Sequence, residues 1–242
     1  MVQQKHKTVS HRLKQRALLV QRGSVRAAVL GVNDGLVSTL CLVVAVAAAG
    51  ADTKTVLTAG FAGLLAGAIS MAAGEWISVK AQVELFEGVL DDLKQEVKDN
   101  KQELVHSLAH ALAGRGMDIK VAHQAATDIG HNDDHFIALY SAQVIGMNKD
   151  ELGSPWRAAF SSFFLFALGS LAPIVPWLFI NEHSAVAVSI VVTSLASLIV
   201  GGFIAKSSGK NISYGAVRQL LIVIASSIIT YGIGYLFGVA TS

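Results

Sequence analysis

Long apolar runs recur along the sequence and are separated by short polar segments. Five of them are long enough to cross a bilayer as helices, which takes about 20 residues. They cover residues 27–50, 55–79, 158–180, 184–205 and 219–239. No segment alternates apolar and polar residues as a half-buried strand does. The pattern therefore predicts an all-α membrane protein with five transmembrane helices.

The polar interval between the second and third runs also has helical periodicity. Apolar residues recur there every three or four positions, and the first stripe predicts that the second transmembrane helix continues outward. Asp118 is expected to cap the third helix of the interval, whose apolar residues face inward. The four stripes are Val83, Phe86, Leu90, Leu93 and Val97; Leu104, Leu108 and Leu112; Val121, Ala125 and Ile129; and Phe136, Tyr140 and Val144.

Four parts follow from these patterns. A basic cytosolic tail, 1–26, precedes transmembrane helices 1 and 2 in residues 27–79. A helical cytosolic domain, 80–156, is inserted between helices 2 and 3 and is expected to end at Pro155. Residues 157–242 carry transmembrane helices 3 to 5.

Charge is segregated along the chain. Seven of the nineteen Lys and Arg lie in residues 1–26, which hold no acid, and thirteen of the seventeen acids lie in 80–155. Because positively charged loops stay in the cytosol, the tail and the insert are expected on the cytosolic side. The tail is expected either to lie on the anionic membrane surface or only to set this topology. We expect a bacterial plasma membrane rather than an organelle membrane.

Composition excludes several classes of protein. Hydrophobic residues make up 52% of the chain and charged residues 15%, against about a quarter charged in soluble domains. The net charge of +2 averages unlike segments, so it gives no sign of a nucleic-acid partner. The single cysteine, Cys41, excludes an internal disulfide. The sequence has no phosphate-binding glycine loop, nucleophile elbow or zinc-protease motif, so we expect no enzyme.

Two carboxylates are the only formal charges inside the five apolar runs. Asp34 lies about 10 Å below the cytosolic edge of the first span, and Glu75 lies about 7–8 Å deep on the returning helix. A carboxylate in hydrocarbon costs a few kcal/mol unless it is paired, hydrated or bound to a metal. Met71 precedes Glu75 by one helical turn, and carboxylates with one thioether suit Fe(II) or Mn(II).

Each of these residues also has a simpler interpretation. Asn33, Asp34 and Gly35 are typical of a turn, in which Asp34 would cap a helix starting at Leu36. The remaining span, about 22 Å, would be too short for a bilayer core of about 30 Å. Glu75 would then be an acid that reaches toward the interface, and Met71 a packing residue.

Small residues and prolines in the spans predict packing features. Glycine allows membrane helices to approach closely, and prolines bend a span. The glycines are Gly60, Gly63, Gly67 and Gly74 in the second span and Gly201, Gly202, Gly232, Gly234 and Gly238 later; the prolines are Pro173 and Pro176.

Four motifs carry a resemblance to a known family. The motifs are Gly31-Val-Asn-Asp-Gly-Leu-Val-Ser38, Ser70-Met-Ala-Ala-Gly-Glu-Trp-Ile-Ser78, Ala172-Pro-Ile-Val-Pro-Trp177 and Arg218-Gln-Leu-Leu221. Together they resemble the vacuolar iron transporter family over nearly the whole chain from residue 25. The resemblance implies a homodimeric, five-helix exporter of cytosolic Fe(II), often also of Mn(II), that works by proton antiport and needs no prosthetic group. It also implies that Asp34, Glu75 and Met71 line the translocation path near the dimer axis.

The insert departs from the family pattern. The resemblance implies a domain that captures metal with several glutamates and methionines. Here only Glu96 is kept among those acids, and the other expected positions hold Leu93, Leu104, Ser107 and Val144, with Tyr140 and Ser141 at the methionine positions. We therefore expect a degenerate capture domain.

Histidines offer another candidate site in the insert. His106 and His110 are spaced i, i+4, as are His131 and His135 with Asp134 beside them. Each pair is expected to place two ligands on one helix face, a set that favours Zn, Ni or Cu over Fe(II). The alternative is two solvated helix faces.

Two hypotheses from different classes follow. The first is a secondary transporter that moves Fe(II) or Mn(II) out of the cytosol through Asp34, Met71 and Glu75. The second is a non-transporting membrane scaffold or metal sensor that keeps the fold and uses the insert for interactions. Missing capture ligands favour the second, and retained membrane carboxylates favour the first.

Overall fold

A computed structural model of the chain describes residues 24–148, 152–180 and 182–241. Within these residues the chain forms eight α-helices and no strand, which confirms the all-α prediction. A π-helical turn, Ser141–Ile145, follows α5, and a 3₁₀ turn, Val175–Leu178, follows α6. Residues 1–23 of the basic tail lie outside the described residues, and residues 24–26 begin α1. The helices are α1 Ser24–Ala48, α2 Thr53–Asp99, α3 Lys101–Ala113, α4 Ile119–Ile129, α5 Asp133–Tyr140, α6 Pro155–Ile174, α7 Glu182–Ser207 and α8 Ile212–Thr241.

Five of these helices, α1, α2, α6, α7 and α8, are long and apolar enough to cross a membrane. They coincide with the five predicted spans, although every helix begins earlier than expected, α6 by three residues and α8 by seven. Helix α6 begins at Pro155, which was expected to close the preceding domain; proline suits a first helical position because its missing N–H has no partner there. Helix α8 begins at Ile212 because the Asn211 side chain accepts hydrogen bonds from two N–H groups of its first turn.

The described chain divides into two compact units. One, the helical unit, is Ser78–Ser154, and the other, the membrane unit, contains residues 24–77 and 155–241. Helix α2 is unbroken over 47 residues and contains no proline that would remove one of its backbone hydrogen bonds. The prediction that the second apolar helix continues beyond residue 79 is confirmed.

Helix α1 packs most extensively against α6 in the membrane unit. A Cβ on Gly35 would overlap the backbone carbonyl of Phe166, and a Cβ on Gly169 would overlap that of Val32. The two backbones can therefore meet only where these side chains are absent. The buried Thr39 hydroxyl donates to Ser170 Oγ at 2.9 Å, and a further hydrogen bond runs from Ser170 to the carbonyl oxygen of Gly35 at 3.3 Å.

Most of the glycines singled out in the sequence lie at close helix contacts. Those contacts are Gly60 with Val43 and Ile174, Gly63 with Leu42, Gly67 with Phe166, Gly201 with Gly215, Gly202 with Ile212, Gly234 with Ala45, and Gly238 with Ala49. Gly74 and Gly232 make no such contact within the chain, since no described atom lies within 4 Å of a Cβ built on either.

The prolines of the third span change its helical form. Pro173 lies within α6, the α-helix ends at Ile174, and Pro176 follows in the 3₁₀ turn. The buried Ser189 hydroxyl of α7 donates to the carbonyl oxygen of Pro173 at 2.9 Å. This bond gives the Pro173 carbonyl a partner at the point where the α-helix changes to the 3₁₀ turn. Bonds of this kind from neighbouring helices are one way in which membrane helices tolerate proline.

An apolar cluster holds the helical unit together. Its buried members are Leu93, Val97, Leu108, Ala109, Ala122, Ala126, Phe136 and Tyr140. Asp118 caps α4, as predicted, by accepting hydrogen bonds from the N–H groups of Lys120 and Val121. The predicted inward face of α4 is confirmed for Ile129, which packs against this cluster, and wrong for Val121, which is 58% exposed while Ala122 and Ala126 are fully buried. The small alanines allow α4 to pack closely on α3.

Candidate functional site

Asp34 lies inside α1, in the eleventh position of the helix. The turn interpretation of this segment is therefore wrong, and α1 keeps its full length across the motif. The Ser38 hydroxyl donates to the backbone carbonyl of Asp34, one turn earlier in the helix. The Asp34 side chain itself is exposed in the single chain.

Asp34 and Met71 line one cavity of about 340 Å³. Helix α1 contributes the face defined by Asp34, Ser38 and Leu42, which recur every four residues and so lie on one side of the helix. Phe166 of α6 forms a further part of the wall. The remaining wall residues are Thr39 of α1 and Gly63, Gly67 and Ser70 of α2.

Two glycines of α2 keep this cavity narrow and its helices close. A Cβ on Gly63 would overlap Leu42 Cδ2, and a Cβ on Gly67 would overlap the ring of Phe166. Without side chains at these positions, α2 can approach α1 and α6 closely enough for Met71 to face the same space as Asp34. The glycine spacing seen in the sequence thus has a direct role in shaping the site.

Glu75 lies one helical turn beyond Met71 on α2 and is half-buried. It is not among the residues that line the cavity. The neighbouring Trp76 contacts Trp156 of α6 edge to face, with ring centroids 5.8 Å apart, and Trp156 stacks on Phe160 at 6.0 Å. These aromatic contacts fix the part of α2 that carries Glu75.

The donor groups in the cavity wall are of mixed type. They comprise one carboxylate, one thioether and the hydroxyls of Ser38, Thr39 and Ser70. Oxygen donors with one polarisable sulfur suit Fe(II) or Mn(II) better than Mg²⁺. Among the described residues, no three His, Cys, Asp or Glu side chains surround a common point.

Sequence reasoning missed several wall residues. Ser38 could have been found, because it follows Asp34 by one helical turn, and Ser70 could have been found beside Met71. Nothing in the sequence indicated Phe166, since its place in the wall depends on how α6 crosses α1 and α2.

The expected capture positions of the helical unit are filled by its apolar core. Leu93 and Tyr140 are buried in the core, and Leu104 and Val144 pack against it. The Tyr140 hydroxyl donates to Ser107 Oγ at 3.4 Å. The positions that resemblance assigns to metal ligands thus meet in space here, but they pack as a hydrophobic cluster.

Glu96 is the one retained acid of that set. Its side chain is exposed, and Oε2 accepts a hydrogen bond from Asn100 Nδ2 at 2.9 Å. A single carboxylate already engaged with a neighbouring amide is a poor basis for a multidentate metal site. Its place in metal binding stays a prediction.

The two histidine pairs differ in structure. His106 and His110 share one face of α3, with their Nε2 atoms 3.0 Å apart. His131 precedes Asn132, whose side chain caps α5, whereas His135 lies in the first turn of that helix beside Asp134. The expectation that His131 and His135 share a helix face is therefore wrong, because the cap separates them.

The fold and the cavity define an α-helical, multi-pass membrane protein whose membrane unit carries a carboxylate and a thioether on one cavity. The sequence matches the VIT family over residues 25–235. That match covers most of the chain, and the chain therefore belongs to the VIT family.

Named relatives agree with this assignment. The chain is 31% identical to "Vacuolar iron transporter homolog 3" of Arabidopsis thaliana over 88% of this chain and 83% of that protein. It is 30% identical to "Vacuolar iron transporter homolog 2" of the same plant, over 77% of this chain and 69% of the relative. It is 29% identical to "Vacuolar iron transporter" of Acanthamoeba castellanii, over 92% of this chain and 82% of that protein.

These names bear on two expectations from the sequence. All three relatives are named as transporters or transporter homologues, in agreement with the expectation that the chain is not an enzyme. The names refer to the vacuole, which does not favour the bacterial plasma membrane expected from the sequence.

Proposed function

We propose that this protein is a secondary transporter that exports Fe(II), and also Mn(II), from the cytosol in exchange for protons. The proposal rests mainly on Asp34 and Met71 facing one cavity in a membrane unit of five apolar helices. Membership of the VIT family and the names of the relatives support it.

Each site residue has a separate role in this proposal. The Asp34 carboxylate binds the dication and exchanges protons, and the Met71 thioether favours Fe(II) over Mg²⁺ and Ca²⁺. Glu75, one turn along α2 from Met71, is the second ion-binding carboxylate and stands at the cytosolic end of the path. Serine hydroxyls in the wall, with water, supply the remaining oxygen donors.

We further propose that the transporter is a homodimer. Asp34 is exposed in the single chain although it lies five residues, or about 7.5 Å, inside the apolar span Val29–Ala48. A carboxylate facing hydrocarbon at that depth would cost a few kcal/mol. A second copy facing Asp34 would cover the carboxylate and complete the ligand set of the ion.

In the proposed topology the N-terminus and the helical unit Ser78–Ser154 lie in the cytosol. The support is the distribution of Lys and Arg, which are dense in the tail and in the loop with Lys206, Lys210 and Arg218. The opposite side receives the short α1–α2 loop with Asp52. Hydrogen bonds from Thr55 lower the pKa of Asp52 and allow it to cap α2 as an anion.

The competing proposal is a non-transporting scaffold or metal sensor. The apolar core that fills the expected capture positions favours it. Uptake of Fe(II) into proteoliposomes separates the two, since a scaffold would show no flux above protein-free vesicles. The assay needs anaerobic buffer and a chelator dye for Fe(II) encapsulated in the vesicles. Protease accessibility measures how much of the protein is inserted in each orientation.

Proton coupling gives the next prediction. Transport should accelerate when the compartment that receives the metal is acidic, because carboxylates that release a dication there must take up protons before they return. The measurement is Fe(II) flux into vesicles with an imposed pH gradient and the membrane potential clamped. An Fe(II) flux that does not change with the pH gradient would identify a uniporter.

Metal capture outside the membrane gives another prediction. With both Asp34 and Glu75 replaced by their amides, the full chain should bind Fe(II) at best in the millimolar range, because Glu96 alone cannot form a multi-carboxylate shell. Anaerobic equilibrium dialysis in detergent measures this. Micromolar binding in that variant would contradict a degenerate capture domain.

A further inference from the structure

His106 and His110 form the closest pair of potential metal ligands in the helical unit. They lie one turn apart on α3, their rings meet edge to face with centroids 4.5 Å apart, and their Nε2 atoms are 3.0 Å apart. In a neutral pair one ring donates its N–H to the other. Both side chains are exposed, so such a bond gains little over bonding to water.

The pair already has nearly the geometry of a bidentate metal ligand. Zn–N distances of about 2.05 Å place two nitrogen ligands of a tetrahedral ion about 3.3 Å apart. The observed separation of 3.0 Å is only slightly shorter, so a small rotation of either exposed ring admits an ion. Two histidines at i, i+4 on one helix face are also the arrangement used by helical zinc sites.

A third histidine comes from the neighbouring helix. His123 of α4 has its ring centroid 6.0 Å from that of His106. Two imidazoles on one tetrahedral ion have centroids about 5 Å apart, so His123 is about 1 Å from ligating distance. The side chain of His123 is exposed, and the apolar core holds α3 and α4 together.

We propose that His106, His110 and His123 form a Zn(II) site on the surface of the helical unit, with water as the fourth ligand. Three neutral imidazoles favour Zn(II), Ni(II) or Cu(II) over Fe(II) and Mn(II). The site lies in a different unit from the membrane cavity and, because of these imidazoles, differs from it in metal preference. It forms when His123 turns toward the pair, since no three ligands surround a common point beforehand.

Calorimetric titration of ZnCl₂ into the purified full chain, with any affinity tag removed, tests the proposal. The starting protein carries Asp34→Asn and Glu75→Gln, so that the membrane carboxylates contribute nothing. One equivalent of Zn(II) per chain should bind in the low micromolar range or tighter. His106→Gln and His110→Gln should each weaken binding about 100-fold, and His123→Gln about 10-fold.

Matched controls make the outcome decisive. His131→Gln and His135→Gln remove imidazoles from the same unit and should leave the affinity unchanged. His110→Cys should retain binding, because a thiolate also ligates Zn(II), and this separates loss of a ligand from damage to the fold. Absence of saturable binding, equal affinity after His106→Gln, or loss of affinity after His131→Gln would each overturn the proposed site.

Discussion

Replacing Asp34 by alanine should abolish Fe(II) transport while expression and membrane insertion persist. The change removes a carboxylate whose attraction for a unit charge at 4 Å is about 4 kcal/mol at an effective dielectric constant of 20, enough to reduce flux roughly 100-fold or more. Glu75→Ala should have a similar effect, because it removes the second carboxylate of the proposed path. Initial Fe(II) flux per reconstituted protein is the measurement.

Asp52→Asn provides the matched control for these variants. It removes the same charge, but from the α1–α2 loop, where the Asp52 side chain accepts the Thr55 N–H at 3.0 Å. Asparagine caps helices about as well as aspartate does, so flux should stay at the wild-type level. Unchanged flux in both Asp34→Ala and Glu75→Ala would remove the two carboxylates from the transport path.

Gly35→Ala should destabilise the membrane unit strongly. Its Cβ would overlap the carbonyl of Phe166, and a backbone atom of a packed helix cannot move aside as a flexible side chain can. Overpacking of this kind costs about 1–3 kcal/mol or more. We expect a lower thermal midpoint in detergent, measured by intrinsic fluorescence, together with lower yield of monodisperse protein.

The control for this prediction is Gly232→Ala in α8. The substitution is chemically identical and also lies inside a transmembrane helix, but no described atom lies within 4 Å of the added Cβ. Alanine has a helix propensity about 1 kcal/mol better than glycine, so the midpoint should stay the same or rise. A fall of equal size in both variants would show that packing at Gly35 is not the cause.

Asp34 and Met71 could be predicted as site residues from the sequence because of their positions inside apolar spans. A charge within an apolar run stands out because its burial is costly, and Met71 followed from helical spacing to Glu75. The structure places Asp34 and Met71 on one cavity, while their role in transport stays a prediction. Phe166 could not be predicted, since helix crossings are decided by packing between segments more than a hundred residues apart.

In the helical unit, the periodicity of apolar residues was not sufficient to predict which side chains are buried. Helical spacing allows either Val121, Ala125 and Ile129 or Ala122 and Ala126 to form the buried face of α4. Hydrophobicity alone favours the face with the valine. Close packing of α3 on α4 selects small side chains at the contact, so the alanines are buried and Val121 is exposed. Likewise, helical spacing suggested a second histidine pair, but the Asn132 cap placed His131 before the helix.

The hydrogen bond between Thr39 and Ser170 joins residues 131 positions apart. At a synthesis rate of about 5–20 residues per second, α1 leaves the ribosome about 7–26 s before the α6 residues that complete its packing. During that interval Gly35 and Thr39 of α1 have no α6 to pack against. The first helix is therefore complete before its main packing partner exists, because α6 is made only after the whole helical unit.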